Sequence, residues 1–194
     1  ADSSFGVKSF IEYAVEAGKV VIAMTGTPEP VESYFRANNW SRIDLRKTCN
    51  YVKPFKIDMV RKNGVIRLIK KELSKGKKVV YFINHIPTIK SVYKDLLKKK
   101  VVKENELAAV VAEDRYEKLE DELKETLGNS KAFLEFSKMT YKNIIEKKEL
   151  LDTCKVLLST SKLREGIDIL TKNVTIICDN HILSNIIQFC GRVR

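Results

Sequence analysis

Short apolar runs, each broken by a small polar turn and followed by helix-patterned sequence, constrain this chain more than any other feature. Val79-Val80-Tyr81-Phe82-Ile83 is the clearest of them. An unbroken apolar run of this kind needs cover on both faces, as in the inner strands of a parallel sheet. Asn84-His85 forms the turn after it, and Pro87 suits a first helical turn. Ile89, Val92, Tyr93, Leu96 and Leu97 then recur at amphipathic helical offsets. Leu107 to Ala112, Lys155 to Ser159 and Val174 to Cys178 repeat the strand pattern. Ile66, Ile69 and Leu73 mark a helix that ends before Gly76, and Tyr116, Leu119, Leu123 and Leu127 mark another. Phe133 to Leu151 carries one or two helices more, and Ile182 to Cys190 a last one. Strands alternating with helices predict an α/β fold, a parallel sheet flanked by helices on both faces. Right-handed crossovers then gather the turns after the strands along one sheet edge, where ligands bind in open α/β sheets.

The first fifty residues are a separate passage. Phe10, Ile11, Ala14 and Val15 predict a helix closed by Gly18. Val20-Val21-Ile22-Ala23-Met24 predicts a strand buried on both faces, ending at Thr25-Gly26-Thr27-Pro28, and a helix is expected from Val31 to Ala37. Residues from Ile43 to Pro54 show little periodicity, which places a domain boundary between Tyr51 and Lys56. The expected organisation is a first unit over 1–54 and a second over 55–194. A helical insertion is expected around 116–151, a stretch longer than one crossover helix needs.

Composition narrows the partners. At 194 residues and 44% hydrophobic content, the chain can bury a core. Its 36 Lys+Arg against 25 Asp+Glu give a net charge of +11. Such a balance attracts polyanions, nucleic acid first and an anionic membrane surface second. The runs Lys70-Lys71, Lys77-Lys78 and Lys98-Lys99-Lys100 each read, taken singly, as solvated helix surface. Cys49, Cys154, Cys178 and Cys190 form no C-x-x-C pair, and His85 and His181 stand alone, so no zinc site is expected. Cys178 and Cys190 read as small core hydrophobes, and unclustered thiols fit a reducing cytoplasm. No apolar run approaches the roughly 18 residues of a membrane span. The chain opens at Ala1 directly into helix-like sequence and reads as a fragment of a longer protein.

Three strand-end turns carry candidate chemistry: Thr25-Gly26-Thr27, Asn84-His85 and Thr160-Ser161. Small hydroxyl residues at such turns leave backbone N–H groups open to phosphate oxygens. Gly166-Ile167-Asp168 adds a carboxylate suited to a ribose hydroxyl beside a glycine that admits close approach. Gln188-Phe189-Cys190-Gly191-Arg192-Val193-Arg194 ends an apolar helix with two guanidinium groups, the groups best matched to phosphate and to charge developing in phosphoryl transfer.

In this order, Thr-Gly-Thr-Pro, apolar strand plus Asn-His, Ser-Thr-Ser…Gly-Ile-Asp-Ile and Gln-x-x-Gly-Arg, the motifs resemble those of the superfamily 2 helicases and translocases, the group containing the DEAD-box and DEAH-box proteins. The resemblance runs over almost the whole chain. Met24 to Pro28 looks like motif III, Val79 to His85 like motif IV, Ser159 to Ile169 like motif V and Gln188 to Arg194 like motif VI. It implies a RecA-like second domain preceded by part of a first RecA-like domain. It also implies ATP and Mg²⁺ as cofactors, with the Mg²⁺ held by first-domain motifs.

The resemblance further implies roles for individual residues. Arg192 and Arg194 would serve as arginine fingers, and Gln188 would position ATP. Gly166 and Asp168 would face the ribose, and Thr25, Gly26 and Thr27 would sense the nucleotide state. Thr160, Ser161, Asn84 and His85 would touch the phosphate backbone of DNA or RNA. Two departures stand out: Phe189 occupies the position of a usual Arg, and Arg194 follows Arg192 by two residues where three is common.

A complete motor also needs a G-x-x-x-x-G-K-[S/T] loop and an acidic magnesium motif, and the sequence has neither. Gly18-Lys19-Val20 and Gly76-Lys77-Lys78 lack the preceding Gly and the following Ser/Thr, and no G-x-G-x-x-G is present. The chain is therefore expected to supply one wall of an ATP cleft and to be inactive as an ATPase alone, its partners being nucleic acid and the missing half of the first domain. Two other readings remain: a non-enzymatic RecA-like module that binds nucleic acid or protein, and a translocase that separates no strands.

Overall fold

The computed structural model describes residues 3–22, 31–41, 43, 58–111, 131–160, 167–180 and 182–193. The chain divides into two compact units, 1–40 and 41–194. The boundary expected between Tyr51 and Lys56 lies outside the described residues, as do the helix expected over Tyr116 to Leu127 and the Thr25-Gly26-Thr27 turn.

The first unit contains helix α1 (Ser3–Glu16) and helix α2 (Glu32–Ala37). Gly18 follows α1 at φ +67°, the left-handed conformation that ends helices and that glycine adopts without strain. The buried strand expected from Val20 is not found over its described part. Val20 and Ile22 are 90% and 81% exposed and belong to no strand. An apolar run becomes a strand only where a neighbour pairs its backbone, and the described part of this unit offers helices alone.

The second unit is built on four strands: β1 (Lys78–Ile83), β2 (Leu107–Val110), β3 (Val156–Ser159) and β4 (Val174–Asp179). They lie in the order β2-β3-β1-β4, and every neighbouring pair is parallel. Helices α3 (Val65–Ser74), α4 (Ile86–Lys98), α5 (Lys131–Lys147) and α6 (Leu183–Cys190) accompany them. The stretch expected to hold one or two helices up to Leu151 contains the single helix α5.

β1 is central, and its apolar run is used on both sides. Val79, Tyr81 and Ile83 join a buried cluster with Val65 and Ile69 of α3 and Ile89, Tyr93 and Leu96 of α4. Val80 and Phe82, pointing the other way, join a second cluster with Ile144 of α5, Ile169 and Phe189 of α6. The outer edge of β2 meets a helix in place of another strand. The Ala109 N–H donates to the buried Ser137 Oγ of α5 at 3.0 Å, which satisfies an edge group that would otherwise invite pairing.

Lys77 and Lys78, which read as solvated surface, join Lys75 and Lys155 in fastening this unit together. Glu72 shares the buried stripe of α3 with Val65 and Ile69, at helical offsets seven and three. Its carboxylate takes Lys75 on one oxygen, and Lys77 at 3.0 Å and the Thr175 hydroxyl at 3.0 Å on the other. Lys78 Nζ donates to the Leu151 carbonyl at 2.8 Å, and Lys155 pairs with Glu106 at 2.6 Å. The hydrogen bonds from Lys75 and Lys77 hold the Glu72 carboxyl down at about 2. Because the folded value lies below the unfolded one, this contribution is fully present above about pH 4.5 and is lost as pH falls toward about 2.

Lys75 and Lys77 are 46% and 42% exposed, so solvent screens the charges. Glu72→Gln is therefore expected to cost about 1–2 kcal/mol at neutral pH. In urea melts the difference from the wild-type chain should shrink between pH 5 and pH 3. A difference that stays constant over that range would exclude the carboxylate as its source.

Candidate functional site

The described residues singled out by sequence fall into two groups. The first lies at the carboxyl ends of the strands. Asn84 and His85 follow β1 directly and are exposed, and Thr160 follows β3. The Asn84 side-chain amide donates to the Asp179 carbonyl at 3.2 Å, tying the end of β1 to the end of β4. Asn84 therefore does not cap the next helix. His85 holds the N-cap position of α4 in extended backbone (φ −124°, ψ 128°), and no side chain caps that helix. The His85 carbonyl accepts from the Thr88 and Ile89 amides at 3.1 and 3.2 Å.

Thr160 is placed differently from a solvent-facing phosphate contact. It is 4% exposed, its amide donates to the Val110 carbonyl at 3.1 Å, and its carbonyl accepts from Ser159 Oγ at 3.0 Å. In this conformation Thr160 completes the edge of the sheet. Ser161 and Gly166 lie outside the described residues, as does Arg194.

The second group joins two segments that are more than twenty residues apart. Ile169 and Val193 form a parallel β-bridge, and the Ile169 amide donates to the Arg192 carbonyl at 2.6 Å. This bridge carries Asp168 to Arg192, with Oδ1 and Nη1 3.6 Å apart and the side chains 24% and 32% exposed. Underneath, Phe189 stacks on Phe82 of β1, with ring centroids 4.2 Å apart and planes at 14°. Phe189 is 1% exposed, which accounts for an apolar ring where the resembled motif usually has Arg. In this chain the position faces the core, where an unpaired guanidinium would be costly.

Gln188 is half-buried on α6, one residue before that anchor, and Gly191 is exposed just beyond the helix. Gly191 has φ −69°, open to any residue, and an added Cβ would meet the Ile187 carbonyl oxygen at 3.4 Å, an ordinary contact. Backbone geometry therefore does not require glycine there.

The 3.6 Å separation between Asp168 and Arg192 is long for a charge-assisted hydrogen bond, although Asp168 Oδ1 is itself buried. A tetrahedral anion offering two oxygens to the guanidinium would compete with it readily.

Cys178 and Cys190, expected as small core hydrophobes, lie on β4 and at the end of α6 and are both half-buried. Among the described residues no group of three or more His, Cys, Asp and Glu side chains could hold a metal ion. No helix among the described residues is long and apolar enough to cross a membrane.

No protein-family model matches this chain, no curated protein matches it, and no solved structure matches it.

Proposed function

We propose that this chain is the arginine-finger wall of an ATP-driven superfamily 2 helicase or translocase, built on a RecA-like domain and bearing part of the nucleic-acid track. The observation that carries the reading is the meeting of the Gly-x-Asp-Ile segment with the Gln-x-x-Gly-Arg segment, fixed by the Ile169·Val193 bridge and the Asp168–Arg192 pair. Two runs selected from sequence as one nucleotide-facing site would otherwise have no reason to be adjacent.

Topology supports the same reading. The connection leaving β1 runs past β3 to β2, and the one leaving β3 runs past β1 to β4. With right-handed crossovers these connections leave on opposite faces and open a crevice at the carboxyl ends of β1 and β3. The two core clusters on alternate residues of β1 fit a sheet covered by helices on both faces.

In the proposed cleft, Mg²⁺ and the phosphates are held by first-domain motifs that this sequence does not contain, and ATP supplies the phosphoryl group. Arg192 exchanges its loose pair with Asp168 for phosphate oxygens, and Asp168 is then released to accept from a ribose hydroxyl. Gln188 and Arg194 flank that position in sequence. The exposed, side-chain-free Gly191 leaves room for the nucleotide to approach. Asn84 and His85 offer exposed polar groups to a phosphate backbone at the carboxyl edge. Thr160 joins them only if its cover opens. Thr25, Gly26 and Thr27 sense the nucleotide from the first domain.

The +11 charge supports a polyanionic partner. A labelled single strand titrated with the 194-residue chain should bind more weakly as salt rises. Each neutralised phosphate contributes about −0.7 to the slope of log K against log salt. Three contacts then lose about twentyfold between 50 and 200 mM, and salt-insensitive binding would overturn the track. A P-loop and an acidic magnesium motif upstream in the gene favour the motor, and their absence favours a binding module.

A further inference from the structure

We infer that the amino-terminal edge of the sheet, where α3 and α4 end, is a docking surface for the phosphate backbone of a nucleic-acid duplex, separate from the cleft proposed above. The inference goes beyond the motor reading and rests only on the sheet and its helices. All four strands run parallel, so their amino ends share one edge. Backbone hydrogen bonds mark that edge: the Lys155 amide donates to the Glu106 carbonyl, the Val79 amide to Lys155 and the Lys78 amide to Asn173. Ser74 closes α3 just before Lys78 opens β1. α4 leaves the far end of β1 and must return along the sheet to reach the parallel strand β2, so it ends at the same edge. Both helices pack on the Val79, Tyr81 and Ile83 side of β1, and they touch each other.

Positive charge collects there. Lys70 and Lys71 are exposed near the end of α3, Lys98 closes α4, and Lys99, Lys100 and Lys103 follow it, all exposed. The carboxylates nearby offset little of this. Glu72 is buried and held by Lys75 and Lys77, Glu106 is taken by Lys155, and Asp95 stands 3.8 Å from Lys99. Glu104 stays exposed beside Lys103. The opposite edge differs. The described residues that directly follow the strands, Asn84-His85, Val111, Thr160 and Asp179-Asn180, include no lysine or arginine. Among the described residues, a cation-rich edge therefore lies opposite the proposed cleft.

The backbone carries a second mark. Lys100 sits just past α4 at φ +50°, and Lys148 just past α5 at φ +58°. This left-handed conformation is disfavoured for a residue with a Cβ, and Gly76 fills the equivalent place after α3 at φ +72°. The helix dipole does not call for lysine at these positions, since Lys98 and Lys147 already occupy the last turns. A charged side chain kept where glycine fits better points to a use for the charge.

The chemistry of the edge selects its partner. Lysines are point charges that attract phosphate without reading a base. Platforms for single strands use exposed rings for stacking, and Tyr93, the aromatic residue of these two helices, is fully buried. A membrane surface calls for apolar side chains beside the cations. Among the described residues, no large exposed apolar side chain lies on α3, on α4 or between α4 and β2. A duplex, with one phosphate charge for about every 1.7 Å of its axis, suits a ring-free set of cations held on two packed helices.

The test is a titration of a labelled DNA duplex with the folded 194-residue chain over a series of salt concentrations. A chain carrying Lys98→Ser, Lys99→Ser and Lys100→Gly together should bind more weakly at low salt. Its slope of log K against log salt should flatten by about one for each lysine that meets a phosphate. A chain carrying Lys131→Ser, Lys138→Ser and Lys142→Ser loses the same charge from exposed positions on α5 and should keep nearly the wild-type slope. Lys100→Gly alone should weaken duplex binding and melt no lower than wild type, because glycine adopts the left-handed backbone without strain. None of these readouts uses ATP, so the test stands or falls apart from the motor reading. Three results would overturn the inference. The first is no duplex binding by the wild-type chain at low salt, whether or not it binds phosphatidylserine vesicles. The second is equal losses in the two triple variants. The third is a Lys100→Gly chain that melts lower and binds duplex as wild type does.

Discussion

Arg192→Ala, placed in the full-length protein of the proposed motor, is expected to lower nucleic-acid-stimulated ATP turnover by about 10³–10⁵-fold, the range an arginine finger contributes to phosphoryl transfer. The loss should fall on turnover, with little change in affinity for nucleic acid, because the contacts proposed for the strand lie at the ends of β1 and β3. The side chain lies 3.6 Å from Asp168, whose Oδ1 is buried, so the substitution also removes a cation beside a buried carboxylate oxygen, and its cost to folding is read in the melt. Arg192→Lys keeps the charge but loses the planar fork, and should recover only a small part of the rate. Phosphate release measured with saturating nucleic acid, beside a thermal melt, separates these effects. Turnover within tenfold of wild type in Arg192→Ala would remove Arg192 from the reaction. Magnesium-dependent turnover by the 194-residue chain alone, sensitive to the same substitution, would overturn the one-wall reading.

Phe189→Ala is expected to cost about 3–5 kcal/mol of stability, the range for a fully buried aromatic cut to a methyl. Phe189 is 1% exposed and stacked on Phe82 at a centroid distance of 4.2 Å. Its loss therefore removes a close aromatic pair as well as buried area. Against the roughly 5–15 kcal/mol that holds a typical domain, this is a large fraction. The melting temperature should fall on the order of 10 °C. Phe189→Leu should cost less, since it keeps most of the apolar volume. Phe189→Arg, which restores the residue usual in the resembled motif, should cost at least as much as Phe189→Ala, because it places a charge where Phe82 offers only a ring face. Urea melts of the three variants order the losses. A Phe189→Arg chain as stable as wild type would show that the position faces solvent. The same anchor holds α6, so Phe189→Ala should also loosen the Asp168–Arg192 arrangement.

Much of the second unit was legible because its elements are specified locally. Val79 to Ile83 has no polar residue and became the central strand, with alternate side chains feeding both core clusters. The stripe Ile89, Tyr93 and Leu96 became the buried side of α4. Gly76, expected just past a helix, adopts φ +72° after α3. The same reasoning failed at Val20 and Ile22, where the apolar run was equally good and its described part belongs to no strand. Strand character is a promise that only a neighbouring strand redeems, and a neighbour is not a local property. Glu72 stands amid lysines in sequence, and only its offset from Ile69 marks it as turning inward to Thr175.

The sequence by itself determined which segments are strands and helices in the second unit, because hydrophobic period and turn residues act over a few positions. It also determined which residue types are suited to phosphate and ribose. Only the tertiary structure decided which of those residues meet. Strand order β2-β3-β1-β4 and the return of α6 over β1 brought Asp168 to Arg192 and turned Phe189 into the core. These contacts join residues on different elements, and their formation depends on how whole faces are buried. No spacing along the chain encodes them.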